Sequence, residues 1–128
     1  MTEDEISHKI IGGAIEVHRQ MGGPGLLESI YEQALCWELR LRGLRVERQK
    51  LVPLRYKNIE LESPLRLDIL VEDKVIVECK SVEEYNPIHS SQALTYLRLS
   101  GLRLALVINF GERVVKDGIH RVVNDLRP

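Results

Sequence analysis

The sequence has few aromatic residues, two cysteines and no long apolar run, and each shortage excludes something. One Trp, four Tyr and one Phe are too few rings to line a groove that coats single strands by base stacking. Cys36 and Cys79 do not make a disulfide framework, and no C-x-x-C pair starts a zinc site. His8 and His18 lie about 280° apart around a helix at roughly 100° per residue, so they do not converge on one ion. The longest apolar stretch, Leu104 to Ile108, is strand-sized, far below the roughly 18 residues of a membrane span. The opening Met-Thr-Glu-Asp-Glu is acidic where a secretory leader is basic and then apolar, so a soluble, cytoplasmic protein with no membrane partner is expected. No glycine-rich loop has P-loop or Rossmann spacing, and no nucleophile elbow accompanies a Ser-His-Asp set. Neither sign of charge dominates: the net of −1 excludes a protein that coats nucleic acid by charge alone.

What is present is ordinary globular material. The 128 residues, 44% hydrophobic and 29% charged, suit one folded domain spanning the chain and rule out disorder. The charge is distributed in blocks: residues 1–37, 38–57, 58–84 and 85–128 carry −4, +5, −5 and +3. A basic block beside an acidic one suits a cation-holding cleft flanked by phosphate-binding arms, and equally suits solvated faces that happen to segregate.

Periodicity gives the elements. Thr2 and Glu5 have capping-box spacing ahead of Ile6, Ile10, Ala14 and Val17, a helical stripe that stops at Gly22-Gly23-Pro24-Gly25. Within it, Gly12-Gly13 weakens the helix or marks close approach by another backbone. A second helix is predicted from about Leu26 to Arg42, ended by Gly43. From Leu44 the period shortens toward 2, with strands around 44–48, 54–57, 59–61, 65–71 and 75–80 and breaks at Pro53 and Ser63-Pro64. Asn86-Pro87 opens a third helix that Gly101 ends. The continuous run 104–108 reads as a strand covered on both faces, and 119–123 as a last strand. The order α-α-β-β-β-β-α-β-β is that of an α/β or α+β domain with a mixed sheet.

The chemistry concentrates on Asp68 and on Glu78-Cys79-Lys80. Residues two apart in a strand share a face, so Glu78 and Lys80 point together. A two-residue loop at 73–74 sets Asp68 opposite Cys79, whereas a three-residue loop at 72–74 sets it opposite Glu78; the second register is expected. Facing carboxylates repel unless a cation lies between them, and hard oxygen ligands suit Mg²⁺ or Mn²⁺. The bare spacing is a common one on solvent-facing strands.

A longer set of residues narrows the reading. Gly25-Leu26-Leu27-Glu28-Ser29-Ile30-Tyr31 fits a G-x-x-E-x-x-Y motif. With 66–74, 77–82, 89–92, 101–103 and Asn109-Phe110-Gly111, the chain resembles the GxxExxY protein family, itself similar to the PD-(D/E)XK nuclease superfamily. The resemblance implies a restriction-endonuclease-like core, a mixed β-sheet flanked by helices. It implies metal-dependent hydrolysis of phosphodiesters in DNA or a related nucleic acid. Asp68 matches the motif aspartate, although Leu67 replaces the preceding proline, and Glu78 and Lys80 match the second carboxylate and the lysine. It further implies Mg²⁺ or Mn²⁺ held by Asp68, Glu78 and the Cys79 carbonyl, with Glu28 as an added ligand or water-holder. Lys80 would orient the attacking water or stabilise charge, and Gln92 would act as an auxiliary group.

Around these, Arg66 pairs with phosphate or bridges Glu60 or Glu62. Tyr96, one turn from Gln92, packs on it or on a base, and His89 lines the cleft. Glu28 equally complements a helix dipole. The basic residues Arg40, Arg42, Arg45, Arg48, Lys50, Arg55 and Lys57 are the expected grip on backbone phosphate. A homodimer or a partner protein is expected to supply specificity. The rival functions are a catalytically silent nuclease-fold module, nucleic-acid-binding or regulatory, and an enzyme acting on a smaller phosphoester.

Overall fold

The computed structural model describes residues 1–126. Helix α1 (Glu3–Gln20) opens on the expected capping box: the Glu5 N–H donates to Thr2 Oγ1 at 3.2 Å and the Thr2 N–H to Glu5 Oε1 at 3.3 Å. Its stripe of Ile6, Ile10, Ala14 and Val17 is buried. Helix α2 (Glu28–Leu41) packs on it through Tyr31, Leu35 and Leu39. The Gly12-Gly13 pair marks a close approach, but by side chains of α2 rather than by backbone. A Cβ at Gly13 would lie 2.8 Å from Leu39 Cδ2, and one at Gly12 would lie 3.0 Å from the Arg42 guanidinium.

The strands are β1 (Val46–Val52), β2 (Arg55–Tyr56), β3 (Ile59–Glu60), β4 (Leu65–Val71), β5 (Val75–Lys80), β6 (Leu104–Asn109) and β7 (Ile119–Val123), with α3 (Ile88–Ser100) between β5 and β6. The mixed α/β arrangement is the expected one; all five strand segments expected before α3 are present, one more than the expected order counts. Residues 55–60 fold back through a turn at Lys57, φ +55°, as a separate hairpin of two two-residue strands. The main sheet has the order β1-β4-β5-β6-β7, antiparallel except for the β5–β6 pair. That parallel pair needs a crossover, and α3 is the crossover.

Helices cover both faces. One core lies between the sheet and α1 with α2; the other lies between the sheet and α3, around Leu67, Ile76, Ala93, Leu97 and Val107. β6 is buried at all six positions for this reason. No helix is long and apolar enough to cross a membrane among the described residues.

Candidate active site

The site forms where the β4–β5 ladder comes apart. The turn after β4 holds Glu72 and Asp73 at positive φ, and the pairs Ile69↔Val77, Leu70↔Ile76 and Val71↔Val75 follow the expected register, the one that sets Asp68 against Glu78. Regular pairing ends at Ile69↔Val77. Beyond it the two carboxylates turn into the gap between the strands, each accepting a backbone N–H from the opposite strand. Asp68 N–H donates to Glu78 Oε2 at 2.8 Å, and Cys79 N–H donates to Asp68 Oδ2 at 3.0 Å.

Burial sets the electrostatics. Glu78 is only 6% exposed, and burial first, then the Asp68 carboxylate, push its carboxyl up to about 8, against the opposing pull of the Asp68 N–H and Lys80. Asp68 is half-buried and also raised, chiefly by desolvation; the Cys79 N–H and Lys80 lower it, while Glu32 and Glu28 add repulsion. The ammonium of Lys80, half-buried at the end of β5, makes no hydrogen bond or ion pair among the described residues, while its backbone carbonyl accepts the Phe110 N–H at 2.8 Å. Its ammonium acts on both carboxylates, lowering each. The Cys79 thiol is buried and pushed well up by desolvation, as a packing residue and not a nucleophile.

Three devices hold this end of the molecule together. The Tyr31 hydroxyl, fully buried, donates to Gly23 O at 2.7 Å and accepts the Leu26 N–H at 3.1 Å, while the ring stacks on Phe110 at 4.6 Å. This ties the glycine loop to α2. Ser81 Oγ donates to Leu26 O at 2.7 Å, joining the segment after Lys80 to the start of α2. Asn109, buried, accepts the N–H groups of Val82 and Gly111 and donates to Val82 O, each at 3.0 Å. A Cβ at Gly111 would land on the Val82 carbonyl, so only glycine lets the chain pass.

The other sequence-predicted residues fall into two groups. Glu28, at the start of α2, lines a cleft of about 150 Å³ with Ser29, Glu32, Gln49, Asp68 and Cys79. Tyr96, half-buried on α3, comes near from the other side: its hydroxyl pKa is raised by burial, then by Glu78 and Asp68. Gln92 is exposed on α3, Arg66 is exposed on β4, and His89 lies edge-on to the Tyr85 ring at 5.4 Å. These three are not drawn into the carboxylate pair.

The basic block departs from expectation. Arg42, Arg45, Arg48 and Lys50 pair with Glu38, with Glu72 and Asp73, with Glu32 and with Glu47. Arg40 and Arg55 donate to the carbonyls of Val46 and Asn58, and Lys57 sits over the Tyr56 ring. All seven cations have a partner within the protein: Glu72 and Asp73 come from the acidic block, Glu32 from α2, Glu38 and Glu47 from the basic segment itself, and the other three cations meet carbonyls or a ring.

Sequence reasoning overlooked Glu32 and Gln49. Glu32 lies one turn after Glu28 on the same helix face, which was a usable signal; nothing in the sequence marks Gln49. No three His, Cys, Asp or Glu side chains gather as a ligand set among the described residues. A Mg²⁺-type cation needs only one or two protein carboxylates, since it keeps its waters. The mutually repelling Asp68–Glu78 pair fits such an ion.

A carboxylate pair with a lysine two residues on, at the frayed end of a mixed sheet covered by helices on both faces, defines a restriction-endonuclease-like fold. Comparison with known protein families matches residues 4–122 to the PD-(D/E)XK nuclease superfamily, and the chain belongs to that superfamily. No curated protein and no solved structure matches it.

Proposed function

We propose that the protein is a divalent-cation-dependent phosphodiester hydrolase acting on nucleic acid. The observation that carries the reading is the Asp68–Glu78 pair: two carboxylates turned into one gap in the sheet, Glu78 only 6% exposed and pushed upward by burial and by Asp68, an arrangement a packing role gains nothing from. Asp68, Glu78 and the Cys79 carbonyl would hold Mg²⁺ or Mn²⁺, with Glu28 reaching in from the cleft wall. Such an ion supplies charge neutralisation at a phosphoryl oxygen and a more acidic water. Lys80 orients the attacking water or stabilises charge building on the phosphoryl oxygens. Tyr96 and Gln92 form the α3 side of the approach, with Arg66 and His89 farther out as substrate contacts. The test is cleavage of linear, circular and single-stranded DNA and of RNA in Mn²⁺ or Mg²⁺, with Lys80→Ala and Asp68→Asn beside wild type. Activity lost in both variants supports the reading; no cleavage, or cleavage equal in all three proteins, overturns it.

A second reading, a catalytically silent nuclease-fold module that binds nucleic acid or regulates a partner, is favoured by a different observation. Superfamily and fold are common to both readings, and the described residues assemble no ligand set of three side chains. Binding that weakens steeply with salt, without cleavage, would identify nucleic acid as its ligand. Strict monomers in light scattering would leave a partner protein, and not a second copy, to supply specificity.

A further inference from the structure

Strand β4 changes face in mid-course. In a regular strand residues 65, 67, 69 and 71 share one side. Here Leu65 and Leu67 pack in the core under α3, whereas Ile69 and Val71 pack in the core under α1 and α2. β1 does the same, with Val46 against the α1/α2 core and Val52 against the α3 core. Register is kept throughout: Arg48↔Ile69 and Lys50↔Leu67 share one index sum, so neither strand carries an inserted residue. The change of face falls at the one pair absent from the ladder, Gln49 and Asp68.

Gln49 has φ +56°, the left-handed region that a residue with a Cβ avoids. The other non-glycine residues at positive φ among those described, Lys57, Glu72, Asp73 and Asp125, lie outside the strands; Gln49 lies within one. Its side chain explains why it stays there. Gln49 Nε2 donates to Glu32 Oε1 at 2.7 Å, and Arg48 Nε donates to Glu32 Oε2 at 2.7 Å. Glu32 is 4% exposed, so this fork is held by a rigid, buried anchor on α2.

We propose that Glu32 and Gln49 are positioning residues that pin the paired change of face and thereby aim the Asp68 carboxylate into the β4–β5 gap. The aim is a property of the cation-free protein; its consequence for a bound cation rests on the hydrolase reading above. Gln49→Gly and Gln49→Asn both tolerate positive φ while losing the reach to Glu32. The Cys79 amide, which donates to Asp68 Oδ2, reports the aim without any cation. In a chelator, hydrogen exchange at Cys79 is expected to quicken about tenfold or more in both variants, with the Ile76 and Val77 amides unchanged and the melting temperature held. Exchange at Cys79 equal to wild type overturns the proposal. So does an acceleration spread evenly along β5, which is general loosening. Direct Mn²⁺ titration forms the second arm, with affinity expected to weaken about tenfold or more. Wild type that takes up no Mn²⁺ would remove the hydrolase reading and leave the exchange result standing.

Discussion

Glu78 gives the sharpest prediction, because one buried carboxyl dominates a linkage that can be isolated by a single substitution. Its pKa rises from 4.5 to about 8 on folding. Between those values the folded protein holds one proton that the unfolded chain has released, so stability falls as pH rises, at about 1.4 kcal/mol per pH unit. The contribution is fully present below 4.5 and lost as pH passes about 8, a total of about 5 kcal/mol. Glu78 is almost fully buried, so solvent screening does not reduce this figure much, and it is comparable with the whole stability of a small domain, about 5–15 kcal/mol. Asp68, also raised, acts with the same sign.

The assay is urea unfolding in a chelator at pH 5, 6, 7 and 8 for wild type and Glu78→Gln. Gln keeps an oxygen to accept the Asp68 N–H and has no proton to lose in this range. The variant should gain on wild type by roughly 3–4 kcal/mol between pH 5 and 8, most of it before pH 7.5. On the hydrolase reading, saturating Mn²⁺ would bind the ionised carboxylate. It should stabilise wild type by about 2.7 kcal/mol at a hundredfold excess over Kd near pH 8, and far less near pH 5. Curves for the two proteins that run parallel within about 0.5 kcal/mol would refute the reasoning, since Glu78 would then titrate alike folded and unfolded.

The remaining predictions concern the scaffold and the chemistry. Tyr31→Phe leaves the Leu26 N–H and the Gly23 carbonyl without their shared hydroxyl and should cost about 1–3 kcal/mol in urea unfolding. Gly111→Ala drives a Cβ onto the Val82 carbonyl and should lower stability by about 1–3 kcal/mol or more, with a melting temperature equal to wild type as the contrary result. On the hydrolase reading Lys80→Met should abolish cleavage, and by removing the ammonium's pull on Asp68 and Glu78 it should raise both carboxyl pKa values further, which a pH titration of unfolding would read. Cys36, raised to about 11 chiefly by burial, and Cys79 should both resist a thiol reagent at pH 8 until the chain unfolds.

The features legible in the sequence are those set by local pattern. The capping box, the αL glycine that ends α3 at Gly101 and the buried run of β6 follow from short-range rules, and each stands where those rules put it. The register of β4 on β5 was also legible, because a three-residue turn at 72–74 sets one index sum for the pairs that follow it. Properties that depend on what folds back were not legible. Seven cations between residues 40 and 57 look like a phosphate grip until four of them pair with acidic residues of α2, β1 and the β4–β5 turn and three meet carbonyls or a ring.

The change of face at Gln49 and Asp68 was hidden for a deeper reason. Strand periodicity assumes that a strand keeps its faces, and the run 65–71 satisfies alternation on paper. One strand here serves two cores, and the switch between them rests on a non-glycine residue at positive φ held from another helix. No local preference encodes that conformation; the buried Glu32 carboxylate, 17 residues away in sequence, does. Asp68 occupies the same break, so the fold's one irregular pair on β1–β4 coincides with the residue that most needs to leave the ladder. That coincidence is why local rules are expected to fail at a site and hold elsewhere.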